Sequence, residues 1–213
     1  MTIKRFYFNP LRECCYVLWD ESRECAIIDP GFMTANEFGR LKKFIQEQDL
    51  KPVKILLTHC HFDHILGLEE ACRFWNLKPC FCKADEVQLE RAPRYCIMLG
   101  IEMQPYTGES IYLSDGDVIS FGNTELKVIA TPGHTEGGVC FFNEKEQVIF
   151  TGDTLFAASI GRTDHLGGNL ETLMDSILNR LMVLPGDTVV YPGHGADTNI
   201  GYERATNPFL MTV

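Results

Sequence analysis

The run Thr58-His59-Cys60-His61-Phe62-Asp63-His64 follows directly on the apolar stretch Ile55-Leu56-Leu57. It constrains the chain more than any other segment. On an extended backbone the imidazoles at His59 and His61 point the same way and can share one cation, while Asp63 and His64 begin a turn into a helical pattern and can face a second. Cys60 alternates with these histidines and is expected to point into the core.

Three further segments repeat the pattern of an apolar strand ending in a donor. Val128-Ile129-Ala130 leads to Thr131-Pro132-Gly133-His134, Val148-Ile149-Phe150 to Thr151-Gly152-Asp153, and Val189-Val190-Tyr191 to Pro192-Gly193-His194. Glycine just before the donor lets the backbone turn and approach a metal with no Cβ in the way, and sites in α/β proteins gather at the carboxyl ends of strands. Taken alone, His134 or His194 reads as a surface turn histidine and Asp153 as a turn cap. Four strand ends carrying seven donors instead predict one shared cavity. Of the six histidines, only His165 falls outside the pattern, and it reads as a loop histidine rather than a ligand or substrate contact.

The remaining periodicities predict the scaffold. Ile3 to Phe8, Cys14 to Trp19 and Cys25 to Asp29 read as strands, the last stopped by Pro30-Gly31. Thr34 and Glu37 form a capping box for a helix toward Gln48 that presents Phe38, Leu41 and Ile45 on one face. Val53 to Thr58 reads as a strand, and Ile65, Leu68, Cys72 and Trp75 then repeat a helical spacing. Leu170, Leu173, Ile177 and Leu181 do the same behind a cap at Asn169. Leu126 to Ala130, Val139 to Phe142, Val148 to Phe150 and Thr188 to Tyr191 are β-like. Strand pairs without intervening helices argue against a purely parallel sheet, so the expected class is a layered α/β sandwich. From Ala84 to Tyr106, Pro93, Gly100 and Pro105 interrupt a helical pattern, which predicts an irregular excursion able to wall a pocket.

Composition narrows the function. The 213 residues suffice for one domain spanning the whole chain. A net charge of −10, from 19 basic and 29 acidic residues, repels nucleic acid and anionic lipid. With no secretory leader pattern at the start and no run of roughly 20 apolar residues, the expectation is a cytoplasmic protein without a membrane partner that acts on a small molecule. The nine cysteines are odd in number and lack paired CxxC spacing, so they read as reduced thiols. Cys80 and Cys82 would share a strand face, as buried apolar groups or, alternatively, as metal ligands.

The HxHxDH arrangement of His59, His61, Asp63 and His64, with His134, Asp153 and His194, resembles the metallo-β-lactamase superfamily along nearly the whole chain. The resemblance implies a four-layer αβ/βα sandwich with metals at one edge of the sheets. It implies that His59, His61 and His134 hold one ion, that Asp63, His64 and His194 hold the other, and that Asp153 bridges them. Within the superfamily, Thr151-Gly152-Asp153-Thr154-Leu155-Phe156 with Gly161-Arg162-Thr163-Asp164, and the ending Gly201-Tyr202-Glu203-Arg204 with Asn207-Pro208-Phe209, is similar to glyoxalase II and its short relatives. Full-length glyoxalase II has a further helical domain that supplies glutathione contacts. Only 19 residues follow His194 here, so the thiol is left open.

The expected activity is hydrolysis of thioesters by a hydroxide on two divalent ions, zinc first with iron or manganese as alternatives, since imidazole and carboxylate suit all three. Asp63 and Asp153 would orient that hydroxide. Arg162 would either contact an anionic part of the substrate or serve as a structural ion-pair partner; Arg91 and Arg94 are further candidates for the contact. The main alternative is a persulfide (sulfur) dioxygenase using one iron on His59, His134 and Asp153. A β-lactamase is disfavoured because it would normally be exported, and an RNA-processing nuclease because it needs a basic surface. A purely structural metal site would be closed and cysteine-rich, unlike this donor set.

Overall fold

The computed structural model describes residues 1–211. Strands β1 (Thr2–Phe8), β2 (Glu13–Trp19) and β3 (Glu24–Ile28) lead to helix α1 (Ala35–Glu47), strand β4 (Lys51–Leu56), helices α2 (Phe62–Ile65) and α3 (Leu68–Trp75), strand β5 (Pro79–Cys82), helix α4 (Glu86–Met98) and strand β6 (Ile111–Leu113). Strands β7 (Val118–Phe121), β8 (Thr124–Ala130), β9 (Val139–Asn143), β10 (Val148–Gly152), β11 (Leu155–Phe156) and β12 (Ser159–Ile160) follow, then helix α5 (Leu170–Ser176), strands β13 (Val189–Pro192) and β14 (Thr198–Asn199) and helix α6 (Ile200–Thr206). One six-stranded sheet has the order β1-β2-β3-β4-β5-β6 and the other β14-β13-β10-β9-β8-β7, while β11 and β12 form a small ribbon.

Alternation along each strand assigns the layers. In β2, Cys14, Tyr16 and Leu18 face one way and meet Phe121, Val128, Phe141 and Phe150 of the second sheet. Cys15 and Val17 face the other way, with Ile27 and Ile55, and are covered by Phe38 and Leu41 of α1 and by Leu68 and Cys72 of α3. The outer face of the second sheet, carrying Ile129, Cys140, Phe142 and Ile149, is covered by Leu173, Ile177, Leu181 and Ile200. Three apolar interfaces between four layers make the αβ/βα sandwich. Both sheet faces are buried, which is why β2 and β10 read as continuous apolar runs. The sheets are mixed: β3 runs parallel to β4 and β10 parallel to β13, while β1 and β2 form an antiparallel pair.

The capping box forms. Thr34 Oγ1 accepts from the Glu37 N–H at 3.2 Å and Glu37 Oε2 accepts from the Thr34 N–H at 3.0 Å. Glu37 also accepts from the Asn9 N–H at 2.8 Å, and the Asn9 amide donates to the Asp63 carbonyl at 2.9 Å, so the cap also anchors the β1–β2 loop beside the donor motif.

Two expectations need correction. The helical spacing from Ile65 to Trp75 is split into α2 and α3 at Gly67, where the Phe32 ring packs so closely that a Cβ would overlap it. The stretch from Ala84 is not irregular at its start, because α4 runs straight through Pro93. Leu89, Ala92 and Cys96 are buried along one face of α4, and that stripe offsets the roughly 3 kcal/mol a mid-helix proline costs. Strands β6 and β7, of three and four residues, are too short to show a period in the sequence. Cys80 and Cys82 do share a face and pack in the core between the sheets. Cys60 is fully buried in the core under α1 and α3. Among the described residues, no helix is long and apolar enough to cross a membrane.

Candidate metal centre and cavity

The carboxyl ends of β4, β8, β10 and β13 deliver His59, His134, Asp153 and His194 to one place. The ring centroid of His59 lies 4.7 Å from that of His61, 4.1 Å from His64 and 4.8 Å from His134. Donor atoms of His59, His61 and His134 all fall within 4.8 Å of one another, and those of Asp63, His64 and His194 do the same. Asp153 stands between the two groups: Oδ1 is 3.4 Å from His64 Nε2, and Oδ2 is 3.6 Å from His134 Nε2 and 3.7 Å from His194 Nε2. Asp63 Oδ2 is 3.1 Å from His194 Nε2.

Second partners orient the rings. The Nδ1 of His64 donates to Asp29 Oδ2 at 3.0 Å, that of His134 to the Arg162 carbonyl at 2.7 Å and that of His194 to the Leu11 carbonyl at 3.1 Å. The Thr58 hydroxyl donates to Asp29 Oδ2 at 2.6 Å and so presents its oxygen to His59 Nδ1 at 3.1 Å. Each acceptor holds a proton on Nδ1 and turns Nε2 inward, the atom through which the ring would ligate a metal. The Nε2 atoms of His59, His64 and His134 and Oδ1 of Asp153 are buried with no hydrogen-bond partner. A buried polar atom left unpaired costs about 1–3 kcal/mol, so four inward-facing N and O atoms in one place fit a bound cation.

The electrostatics favour the same occupant. Burial, with the neighbouring His64 and His61, drives the His59 pKa well below its ordinary value. Burial and His134 lower that of His61 to about 3, and burial lowers that of His134. These three imidazoles are neutral at pH 7, the form that ligates metal. Burial works against ionising Asp153 and Asp63, yet His64 and His194 together outweigh it, with His134 also acting on Asp153, and both carboxyl pKa values are lowered. His64 is pulled the opposite way: burial opposes its charge, but Asp153 and Asp63 hold its pKa well above the ordinary value.

A cavity of about 360 Å³ opens beside this cluster. The donor side shows His61, Asp63, His134 and Asp153, and the opposite wall comes from Phe62, from Ala92 and Tyr95 of α4, and from Leu166. The 84–106 stretch therefore does wall a pocket, as a helix. Arg162 reaches the cavity rim but also forms a two-pronged pair with Asp164, at 2.9 and 3.0 Å, so both roles considered for it have a structural basis. Arg91 lines the cavity. Arg94 is an exposed residue of the same helix. His165 departs from its expected place: its loop folds over the cluster, its ring lies 4.6 Å from that of His61, and its Nε2 is 3.3 Å from His134 Nδ1.

Sequence reasoning missed Asp29 and Asp85. Asp29 follows β3, the parallel neighbour of β4, and its position at a strand's carboxyl end was the available clue. Asp85 carries no such clue. It is fully buried and accepts from the Cys60 N–H at 2.7 Å, the Thr135 hydroxyl at 3.0 Å and the Gly137 N–H at 2.7 Å, joining the loop of His59 and His61 to that of His134.

Comparison with known proteins agrees with this geometry. Residues 10–194 match the family model described as the metallo-beta-lactamase superfamily. The chain is 35% identical over 212 residues to the probable metallo-hydrolase YqgX of Bacillus subtilis (strain 168), covering 99% of this chain and 98% of that protein. It is 32% identical over 216 residues to the hydroxyacylglutathione hydrolase GloC of Haemophilus influenzae, covering 99% and 98%. Among solved structures, the BLEG-1 B3 metallo-beta-lactamase superposes with a TM-score of 0.90 at 33% identity, covering 98% of this chain and 99% of that one. TTHA1623 in a di-iron-bound form superposes with a TM-score of 0.87 at 33% identity, covering 97% and 100%. With the donor set, the four layers and a family match across most of its length, the chain belongs to the metallo-β-lactamase superfamily.

Proposed function

We propose that the chain is a metal-dependent hydrolase of carboxylic thioesters, acting on a small-molecule substrate. The observation that carries the reading is the set of inward-facing buried atoms, Nε2 of His59, His64 and His134 with Oδ1 of Asp153, that have no partner within the protein. His59, His61 and His134 would hold one ion and Asp63, His64 and His194 a second, with the Asp153 carboxylate shared between them. Two divalent ions in that set would supply a water whose pKa falls from about 15.7 toward 7 and a Lewis acid for a carbonyl oxygen. Zinc fits these donors, and so does iron, the metal bound in the similar TTHA1623 structure.

The chain's own groups decide the substrate class. Asp63 and Asp153 are held ionised, so they accept the hydrogen bond of an attacking water and neither donates a proton to a leaving group. An amide nitrogen or alkoxide needs that proton. A thiolate, whose conjugate acid has a pKa of about 8.5, leaves without it. The similarity to a hydroxyacylglutathione hydrolase supports the same class.

The test is release of free thiol from a panel of acyl thioesters, read beside elemental analysis of the same sample. Turnover that follows metal content and is lost in His59→Ala is expected, and full turnover in metal-free protein would overturn the proposal. A chromogenic cephalosporin in the same panel measures lactamase activity directly. A second reading, a persulfide dioxygenase with one iron on His59, His134 and Asp153, has the 3.6 Å approach of His134 to Asp153 in its favour. It leaves the group of Asp63, His64 and His194 without a role. Oxygen uptake with a glutathione persulfide at one iron per chain would decide for it.

A further inference from the structure

Two cations stand on the cavity wall, and they are not equivalent. Arg162 is committed to Asp164 through both prongs of its guanidinium, which cancels its charge at the rim. Arg91 has no hydrogen bond or ion pair with any described residue. Arg91 is exposed to solvent, so its guanidinium is free to meet a ligand in the cavity that it lines.

Arg91 also sits on a fixed platform. Gln88, Arg91, Ala92 and Tyr95 of α4, at positions i, i+3, i+4 and i+7, line the same cavity, so they share a helix face. On one side of Arg91 the Gln88 amide donates to the Leu166 carbonyl at 2.7 Å, pinning the loop that crosses the cavity mouth. On the other, the Tyr95 ring packs 5.4 Å from that of Phe62, the residue between His61 and Asp63. The Arg91 guanidinium presents a planar fork that fits a carboxylate. With Asp63 and Asp153 across the cavity, a single cation matches a single negative charge rather than a dianion.

We infer that Arg91 is the anion-binding residue of the cavity and that the substrate is a thioester carrying a carboxylate on the part that lies along α4. This rests on the thioester reading above. The apolar wall then takes the uncharged length of the substrate between its carboxylate and the thioester carbon, and Arg91 selects charged thioesters over neutral ones.

The experiment compares kcat/KM of the metal-loaded enzyme for two thioesters of one acyl group, the glutathione ester, which carries carboxylates, and the N-acetylcysteamine ester, which is neutral. A charge-assisted pair contributes about 1.5–3 kcal/mol, so Arg91→Gln is expected to lower the preference for the charged ester about tenfold or more, mainly through KM. Arg91→Lys, which keeps the charge and loses the fork, recovers part of it. Arg94→Gln removes the same charge from the same helix outside the cavity lining and leaves the preference as in the wild type. An unchanged preference in Arg91→Gln, or an equal loss in Arg94→Gln, overturns the inference. Calorimetry with S-methylglutathione, a thioether that cannot be hydrolysed, separates this from failure of the thioester reading. If neither ester is turned over, that reading fails; weaker thioether binding by Arg91→Gln than by wild type still supports the Arg91 assignment, and equal affinity or no binding by either defeats it.

Discussion

The imidazole of His64 is held through Nδ1 by the carboxylate of Asp29, 3.0 Å away. The same carboxylate is completed by the Thr58 N–H at 2.8 Å and the Thr58 hydroxyl, so Asp29 sets the rings of His64 and, through Thr58, His59. Partners that orient a ligand histidine typically contribute 10- to 100-fold to metal affinity. Asp29→Asn keeps the shape but turns one acceptor into a donor facing N–H and O–H groups. We expect metal affinity to fall by about that factor, measured by competition with a chromogenic chelator, and affinity within twofold of wild type would show that Asp29 does not orient the cluster.

Asp85 works on the loops rather than on the rings. Burial raises its carboxyl pKa against the hydrogen bonds from Cys60, Thr135 and Gly137, so its position is stabilised by those three donors. Asp85→Ala leaves all three buried without a partner. The expected loss is about 3 kcal/mol or more of unfolding free energy in the metal-free protein, read from the urea midpoint, and a loss under about 1 kcal/mol would mean that the two loops hold together by other means.

The seven donors were legible in the sequence because each lies within a few residues of a strand end that the apolar runs mark, and the glycines of Pro132-Gly133-His134 and Pro192-Gly193-His194 add a local reason for the turn. The layering was legible for the same reason: a period of two that becomes continuous burial in β2 and β10 reports both covered faces. Asp85 was opaque, and Asp29 was marked only by its strand end, because what they do depends on contacts 25 to 52 residues away in the chain. His165 was opaque because the path of its loop over His134 is set by tertiary anchors, among them the 2.7 Å bond from Gln88 to Leu166. In α4, local propensity at Pro93 pointed away from helix, and the burial of Leu89, Ala92 and Cys96 overrode it.

The histidines give the metal-free protein a pH dependence of predictable sign. His61 has its pKa lowered to about 3, by burial first and then by His134 and His165, whereas in the unfolded chain it titrates near 6.5. Between those values the unfolded state holds the extra proton, so stability falls as pH drops below about 6.5. His61→Gln is expected to reduce the loss between pH 7 and pH 5 by about 2 kcal/mol, measured as urea midpoints at the two pH values. His64, whose pKa is raised, contributes stability that is fully present below about 6.5 and is lost as pH climbs through its folded value, so His64→Gln should steepen the fall on acidification. An unaltered pH dependence in His61→Gln would contradict the assignment.

Gly193 brings the backbone close against the cluster. A Cβ there would overlap Oδ1 of Asp153 and crowd Cε1 of His64. The backbone has no room to withdraw, because the Gly193 N–H donates to the Gly152 carbonyl at 2.8 Å and its carbonyl accepts from the Cys14 N–H at 2.8 Å. The strain of Gly193→Ala must therefore be relieved by moving the Asp153 carboxylate out from between the two donor groups. Overpacking of this kind costs about 1–3 kcal/mol of stability, while a displacement near 1 Å at a reacting centre costs about 100-fold in rate. The variant should fold with an ordinary circular dichroism spectrum, lose about 100-fold in thioester turnover and bind fewer than two ions per chain by elemental analysis. Full metal content with wild-type turnover would mean that the position of Asp153 is not what joins the two groups.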